Sequence, residues 1–176
     1  MNIKVVENQV NLKENKIPCF ILAGGKSSRF GNDKAFLFYK HQYKFCKKIF
    51  KKVYFVAKYK KFKNYPFFIE KSKEYAPIFA LEEIIKKHKK VFVICVDTPL
   101  LNKKTLKKLL LKKAVAKENP LIGYYDYTML KNFDKKSLRI YGINKNKLKT
   151  NFSININTKE ELSLLPNKLR HKFKVN

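Results

Sequence analysis

Residues 17–34, IPCFILAGGKSSRFGNDK, set small residues and cations in an order suited to holding phosphate. Ala23, Gly24 and Gly25 follow an apolar run and let main-chain N–H groups come close to an anion. Arrays of such dipoles bind phosphate oxygens well. Arg29 and Lys34 add side-chain positive charge at the far side of the loop. A tight strand-to-helix turn with a basic surface would use the same small residues. The loop lacks the Gly-Lys-Ser/Thr ending of a Walker cradle and the Gly-x-Gly-x-x-Gly of dinucleotide folds.

A second chemical group closes the run Val91–Val96, VFVICV, which stops abruptly at Asp97-Thr98-Pro99. The chain has only 13 acidic residues against 41 basic ones, so a carboxylate at this place has work other than solubility. Oxygen ligation of magnesium, bridged to nucleotide phosphates, is the usual work of such an Asp. A cap on the helix after Pro99 is the competing reading. Glu70 closes a third, shorter run. Phosphate-binding backbone, two cations and one metal-binding carboxylate together describe nucleotidyl or phosphoryl transfer. That chemistry rests on positioning and charge stabilisation and requires no side-chain nucleophile.

The elements that must position these groups follow from hydrophobic patterning. Strands are expected at Ile17–Leu22, Val53–Ala57, Phe67–Glu70 and Val91–Val96, around Ala114–Ala116, at Leu121–Tyr125 and at Phe152–Ile156. Helices are expected over Ala35–Lys52, Ala76–His88 and Lys103–Lys113, in pieces over Tyr127–Ile143, and from a Thr158 cap through Leu165. Ala76–His88 has Pro at its start and basic residues at its end, as the helix dipole favours. Alternating strands and helices predict an α/β fold, a three-layer α/β/α sandwich around a mainly parallel sheet. Ile17–Leu22 and Val91–Val96 are expected to be adjacent central strands, because both are wholly apolar and both end in ligand groups. In such sheets ligands bind beyond the carboxyl ends of the strands. Residues 1–16 read as an arm or edge strand, and 17–176 as a single domain.

The totals narrow the class. A hydrophobic content of 45% with 14% aromatics fits a folded chain of 176 residues and argues against disorder. The formal charge of +28 invites a nucleic-acid partner. The lysines, however, are scattered through nearly every segment, as general compositional drift would leave them, and no aromatic-rich binding motif accompanies them. The field would still draw anionic ligands in. Cys19, Cys46 and Cys95 lie far apart, which suggests reduced buried thiols in a cytoplasmic protein rather than a disulfide frame or zinc site. No apolar run has the length of a membrane span, and no signal-peptide core is expected at the start.

The string Leu22-Ala23-Gly24-Gly25-Lys26-Ser27-Ser28-Arg29-Phe30-Gly31 with Asp33-Lys34 resembles the signature of the molybdenum cofactor guanylyltransferases, and more broadly of the Rossmann-like nucleotidyltransferase fold. The likeness continues in order. Val96-Asp97-Thr98-Pro99 resembles that family's Cys-Asp-Thr-Pro, and Pro120–Tyr125 its Pro-Leu-Ile-Gly-Val-Tyr strand. Asn155-Ile156-Asn157-Thr158-Lys159-Glu160-Glu161-Leu162 resembles its Asn-Ile-Asn-Thr-Pro-Glu-Glu-Leu. The matching blocks span Ile17 to Leu165.

The resemblance implies transfer of GMP from MgGTP to the terminal phosphate of the molybdenum-bound pterin, with release of diphosphate. Leu22, Ala23, Gly24 and Gly25 would then hold the nucleotide, Lys34 and Arg29 would serve the phosphates, and Asp97 would hold magnesium and nucleotide. Asn155 and Asn157 would face the pterin. Cofactor-biosynthesis and molybdoenzyme-maturation proteins are the partners so implied. A relative that transfers cytidylyl groups or activates sugars, and a degenerate non-catalytic homologue, are the alternatives. The second strand ends Val56-Ala57-Lys58 and offers no Asn where some relatives have one. Two further departures bear on the base. Ala76-Pro77-Ile78-Phe79-Ala80 puts a large ring where the family has small residues. The acidic residue that contacts guanine is matched by Glu70 in one register and replaced by Lys71 in another.

Overall fold

The computed structural model describes residues 16–24, 33–151 and 155–173. Its centre is a seven-stranded sheet of order β3-β2-β1-β4-β6-β5-β7. The strands are β1 (Cys19–Leu22), β2 (Val53–Ala57), β3 (Phe67–Ile69), β4 (Lys90–Cys95), β5 (Val115–Ala116), β6 (Gly123–Asp126) and β7 (Lys147–Leu148). β1 lies between β2 and β4 and is parallel to both. Its register pairs Leu22 with Cys95, so the carboxyl ends of β1 and β4 are level, as the two apolar runs require. Only β6 runs against the rest, antiparallel to β4 and β5.

Alternation along the central strands builds two cores. Cys19 and Ile21 of β1, with Phe92 and Ile94 of β4, pack under α1 (Ala35–Lys47) and α3 (Lys103–Leu111). Phe20, Val91 and Val93 face the other way, onto Ile78, Leu81, Ile84 and Ile85 of α2 (Pro77–His88). Successive strand residues point to opposite faces, and a strand buried on both sides must be apolar throughout. Truncating a ring such as Phe92, which is fully buried, would cost about 3–5 kcal/mol.

Local chemistry sets the helix ends that matter to the site. Lys34 stands at the N-cap of α1, and the Asp33 carboxylate accepts the Ala35 N–H at 3.0 Å. Pro77 opens α2, and Lys86, Lys87 and His88 close it. Asn102 caps α3 by accepting the Thr105 N–H at 2.9 Å. Thr158 and Glu161 form a reciprocal capping box on α4 (Lys159–Ser163). Gly123 is obligatory: its φ is +149°, and a Cβ there would lie 2.4 Å from the Ala114 carbonyl oxygen.

Several expected boundaries move. α1 ends at Lys47 rather than Lys52, because Ile49 and Phe50 leave the helix to enter the core. Tyr127–Ile143 holds one 3-10 helix, Tyr127–Asn132, started by the Asp126 carboxylate, followed by a bridge between Asp134 and Arg139. Of the strand expected at Phe152–Ile156, residues 152–154 lie outside the described residues, and Asn155 and Ile156 are not in a strand. The edge beside β5 is taken instead by β7. The arm expected over residues 1–16 lies outside the described residues apart from Lys16.

Candidate active site

A cleft of about 230 Å³ opens at the carboxyl ends of β1, β2 and β4. Leu22, Ala23 and Gly24 form its floor, Lys34 and Asp97 one end, and Glu70 with Tyr75 the other. Gly25 and Arg29 lie outside the described residues. Every other residue expected to contact the nucleotide lines this cleft.

At the first end, three distant segments converge. Asp97 follows β4 and is buried, with 6% of its surface exposed. The Lys34 ammonium forms an ion pair with its Oδ2 and donates to Asn157 Oδ1 at 2.8 Å. Asn155 Nδ2 donates to the same Asp97 oxygen at 3.3 Å. The Ile156 N–H donates to the Asp97 carbonyl at 2.8 Å, which fixes residues 155–157 against the end of β4. The helix-cap reading of Asp97 fails, since Asn102 caps α3. Burying a carboxylate is costly unless it is paired and hydrogen-bonded, and here a cation and an amide donor both meet it. Cys95 also lines the cleft, but burial pushes its thiol far up, so it offers no thiolate nucleophile.

At the other end, Glu70 Oε1 lies 3.4 Å from where a Cβ on residue 24 would stand. A Cβ at Gly24 would therefore stand in ordinary van der Waals contact with this carboxylate, which places Glu70 directly beside the end of β1. Burial holds the Glu70 carboxyl above its usual range, and the Lys58 charge, 3.7 Å from Oε1, pulls it back. Lys71 is exposed and takes no part in the lining; its N–H and that of Ser72 donate to the Glu83 carboxylate of α2. Of the two candidates, Glu70 is the one that lines the cleft. Phe79 turns away and packs on the α2 core, while Ala80 faces the cleft, so the large ring does not obstruct the site.

Lys61 and Asn119 of this site escape sequence reasoning. Lys61, with 5% of its side chain exposed, donates to the Ala23 carbonyl at 2.8 Å and pairs with Asp33 Oδ2 at 2.6 Å. It joins the end of β1 to the start of α1. Asn119 donates its amide to Asn155 Oδ1 and accepts the Leu121 N–H at 3.2 Å, orienting the amide that meets Asp97. Its one signal is its place just ahead of Pro120.

The family described as MobA-like NTP transferase domain matches residues 19–124, a segment holding both strand ends, Lys34, Glu70 and Asp97. The chain belongs to this family. It is therefore an enzyme of the nucleotidyltransferase class. The molybdenum cofactor guanylyltransferase of Campylobacter jejuni (strain RM1221) is 35% identical over an alignment covering 89% of this chain and 98% of the relative. A protein of Aquifex aeolicus (strain VF5) named as a probable molybdenum cofactor guanylyltransferase is 32% identical over 82% of this chain and 87% of its own length. Among solved structures, a protein of Aquifex aeolicus VF5 superposes with a TM-score of 0.68 at 31% identity, covering 82% of this chain and 95% of that one. The molybdopterin-guanine dinucleotide biosynthesis protein A of Archaeoglobus fulgidus has a TM-score of 0.63 at 18% identity, covering 84% and 95%, a likeness of fold alone. No helix among the described residues is long and apolar enough to cross a membrane.

Proposed function

We propose that this MobA-like NTP transferase moves GMP from GTP to the terminal phosphate of the molybdenum-bound pterin, within a single domain over residues 17–176 and in the cytoplasm. The observation that carries the reading is the meeting of Lys34, Asp97, Asn155 and Asn157 at the level carboxyl ends of β1 and β4. The named relatives support the guanylyl and pterin assignments.

In this reading the guanine sits against Glu70, whose carboxylate accepts from the N–H donors of the base. The phosphates follow the backbone of Leu22–Gly25 toward Lys34, with Arg29 as a further cation. An oxygen of the pterin phosphate, held on the Asn155 and Asn157 side, attacks the α-phosphorus. That P–O bond forms as the bond to the diphosphate breaks, and the electron pair leaves with the diphosphate. Lys34 exchanges Asp97 for phosphate oxygen, a charge-assisted contact that strengthens as negative charge builds on the leaving group. Burial around the pair keeps that contact strong.

The donor set fits magnesium. Asp97 is an acceptor-only carboxylate on the cleft wall, and magnesium is commonly held by one or two carboxylates, substrate phosphates and water. Bound there, the ion would neutralise charge on the departing diphosphate. The test is diphosphate release in the presence of magnesium and the molybdenum-bound pterin, with GTP, CTP, ATP and UTP compared. GTP alone should support turnover. Turnover with CTP would make the chain a cytidylyl relative, and turnover with none of the four would contradict the proposal.

A further inference from the structure

One ammonium group organises the whole Glu70 end of the cleft. Lys58 follows β2, and its Nζ donates to the carbonyl oxygens of Ser72 and of Glu74, the latter at 2.8 Å. The same Nζ lies 3.7 Å from Glu70 Oε1 and 4.7 Å from the centroid of the Tyr75 ring. All four partners belong to residues 70–75, the loop that forms this wall. Fixing a lysine costs rotamer freedom, so a lysine serving only solubility would leave its head in water. An ammonium has three donors. Two go to carbonyls, and the third is left for Glu70 at a distance too long for a hydrogen bond. The attraction is therefore one of charge, and the carboxylate oxygens keep lone pairs for a ligand.

We propose that Lys58 is a specificity-determining positioning residue: it holds the Glu70 carboxylate and the Tyr75 loop in place to read a nucleobase edge that presents two adjacent N–H donors. The inference rests on the guanylyl reading above, since guanine offers such an edge through its ring N–H and its 2-amino group. Glu83 steadies the loop from the opposite side by accepting the N–H groups of Lys71 and Ser72, each at 2.9 Å for the nearer oxygen. Burial favours the neutral form of Glu70, and a protonated carboxyl would point its own donor at the donors of the base. The charges that face Glu70 are Lys58 and Lys61, which favour the carboxylate, and Glu83, which opposes it. Lys58 is the nearest of the cations and the one that also fixes the loop.

The test compares dissociation constants of GTP and inosine triphosphate, which lacks the 2-amino donor, on the full chain with magnesium. The wild-type protein should prefer GTP by roughly tenfold or more. Lys58→Gln keeps a donor for the loop but removes the charge, and the preference should fall to within about twofold of unity at neutral pH. Lys58→Arg should retain it. As pH falls, the preference should disappear at a higher pH in Lys58→Gln than in wild type, because loss of the cation raises the Glu70 pKa further. A merely structural lysine would move the melting temperature and both affinities together and leave their ratio alone. If Lys58→Gln melts below the assay temperature, the arginine variant decides, since a folded Lys58→Arg that loses the preference overturns the charge role. A Lys58→Gln protein that keeps the preference overturns the inference while the guanylyl reading stands. A wild-type protein that binds neither nucleotide overturns the guanylyl reading itself.

Discussion

Each end of the cleft sets a lysine against a carboxylate, yet the two pairs differ in kind. At the β4 end the Lys34 ammonium touches Asp97 directly, and Asn155 and Asn157 complete the cluster. At the β3 end Lys58 stands off from Glu70 by 3.7 Å and spends its hydrogen bonds on main-chain carbonyls. In a closed pair the ammonium must give up a partner before it can meet phosphate, so it suits groups that exchange partners during turnover. An open pair leaves the carboxylate ready as it stands, which suits recognition of a base. The difference separates the proposed chemical end of the site from its proposed reading end.

The largest effect on binding is expected from Lys34→Ala. Affinity for GTP should fall by about 1.5–3 kcal/mol while affinity for guanosine is retained, because the lost contact is to phosphate. Equal losses for nucleotide and nucleoside, read by calorimetry, would move Lys34 out of the phosphate end. Glu70→Gln should act the opposite way, weakening GTP and guanosine alike by roughly tenfold while sparing inorganic triphosphate. A Gln variant that loses triphosphate affinity instead would merge the two ends into one. The smallest effect belongs to Phe79→Ala. Its ring packs on the α2 core, so stability should drop by about 2 kcal/mol while GTP binding stays within about twofold of wild type. Denaturant melts paired with the same calorimetry would show it, and a large loss of binding would return Phe79 to the site.

Sequence patterning located the two strands that matter because each is an unbroken apolar run with a functional group at its end. Glu70 and Asp97 stood out for the same reason, each closing an apolar run, and Lys34 stood out as the cation that closes the loop of small residues ahead of α1. β5 and β7 have two residues each, too short to show a period, and the seventh strand was expected several residues too late. The resemblance left Glu70 and Lys71 interchangeable and made Phe79 look like an obstacle. In the structure Glu70 lines the cleft while Lys71 is exposed, and Phe79 packs on the α2 core. Lys58 drew notice only as the end of a strand without the Asn of some relatives, and Lys61 not at all among 41 basic residues, since partial burial and carbonyl partners are what distinguish them from the solvated lysines beside them. Asn119 was passed over by one position, because the apolar strand after Pro120 carried the signal and its polar neighbour did not.

If Asp97 and Lys34 form the chemical end, Asp97→Asn should disable it. Asparagine keeps the shape and one oxygen but removes the charge that balances Lys34 and that would hold magnesium. Magnesium should be titrated against guanylyl transfer for wild type and variant, with GTP affinity and a melting curve measured alongside. Turnover should fall by about a hundredfold or more, GTP affinity by much less, and the magnesium requirement should rise, with the protein still folded. Full turnover at low magnesium, or a loss explained by unfolding alone, would contradict the account.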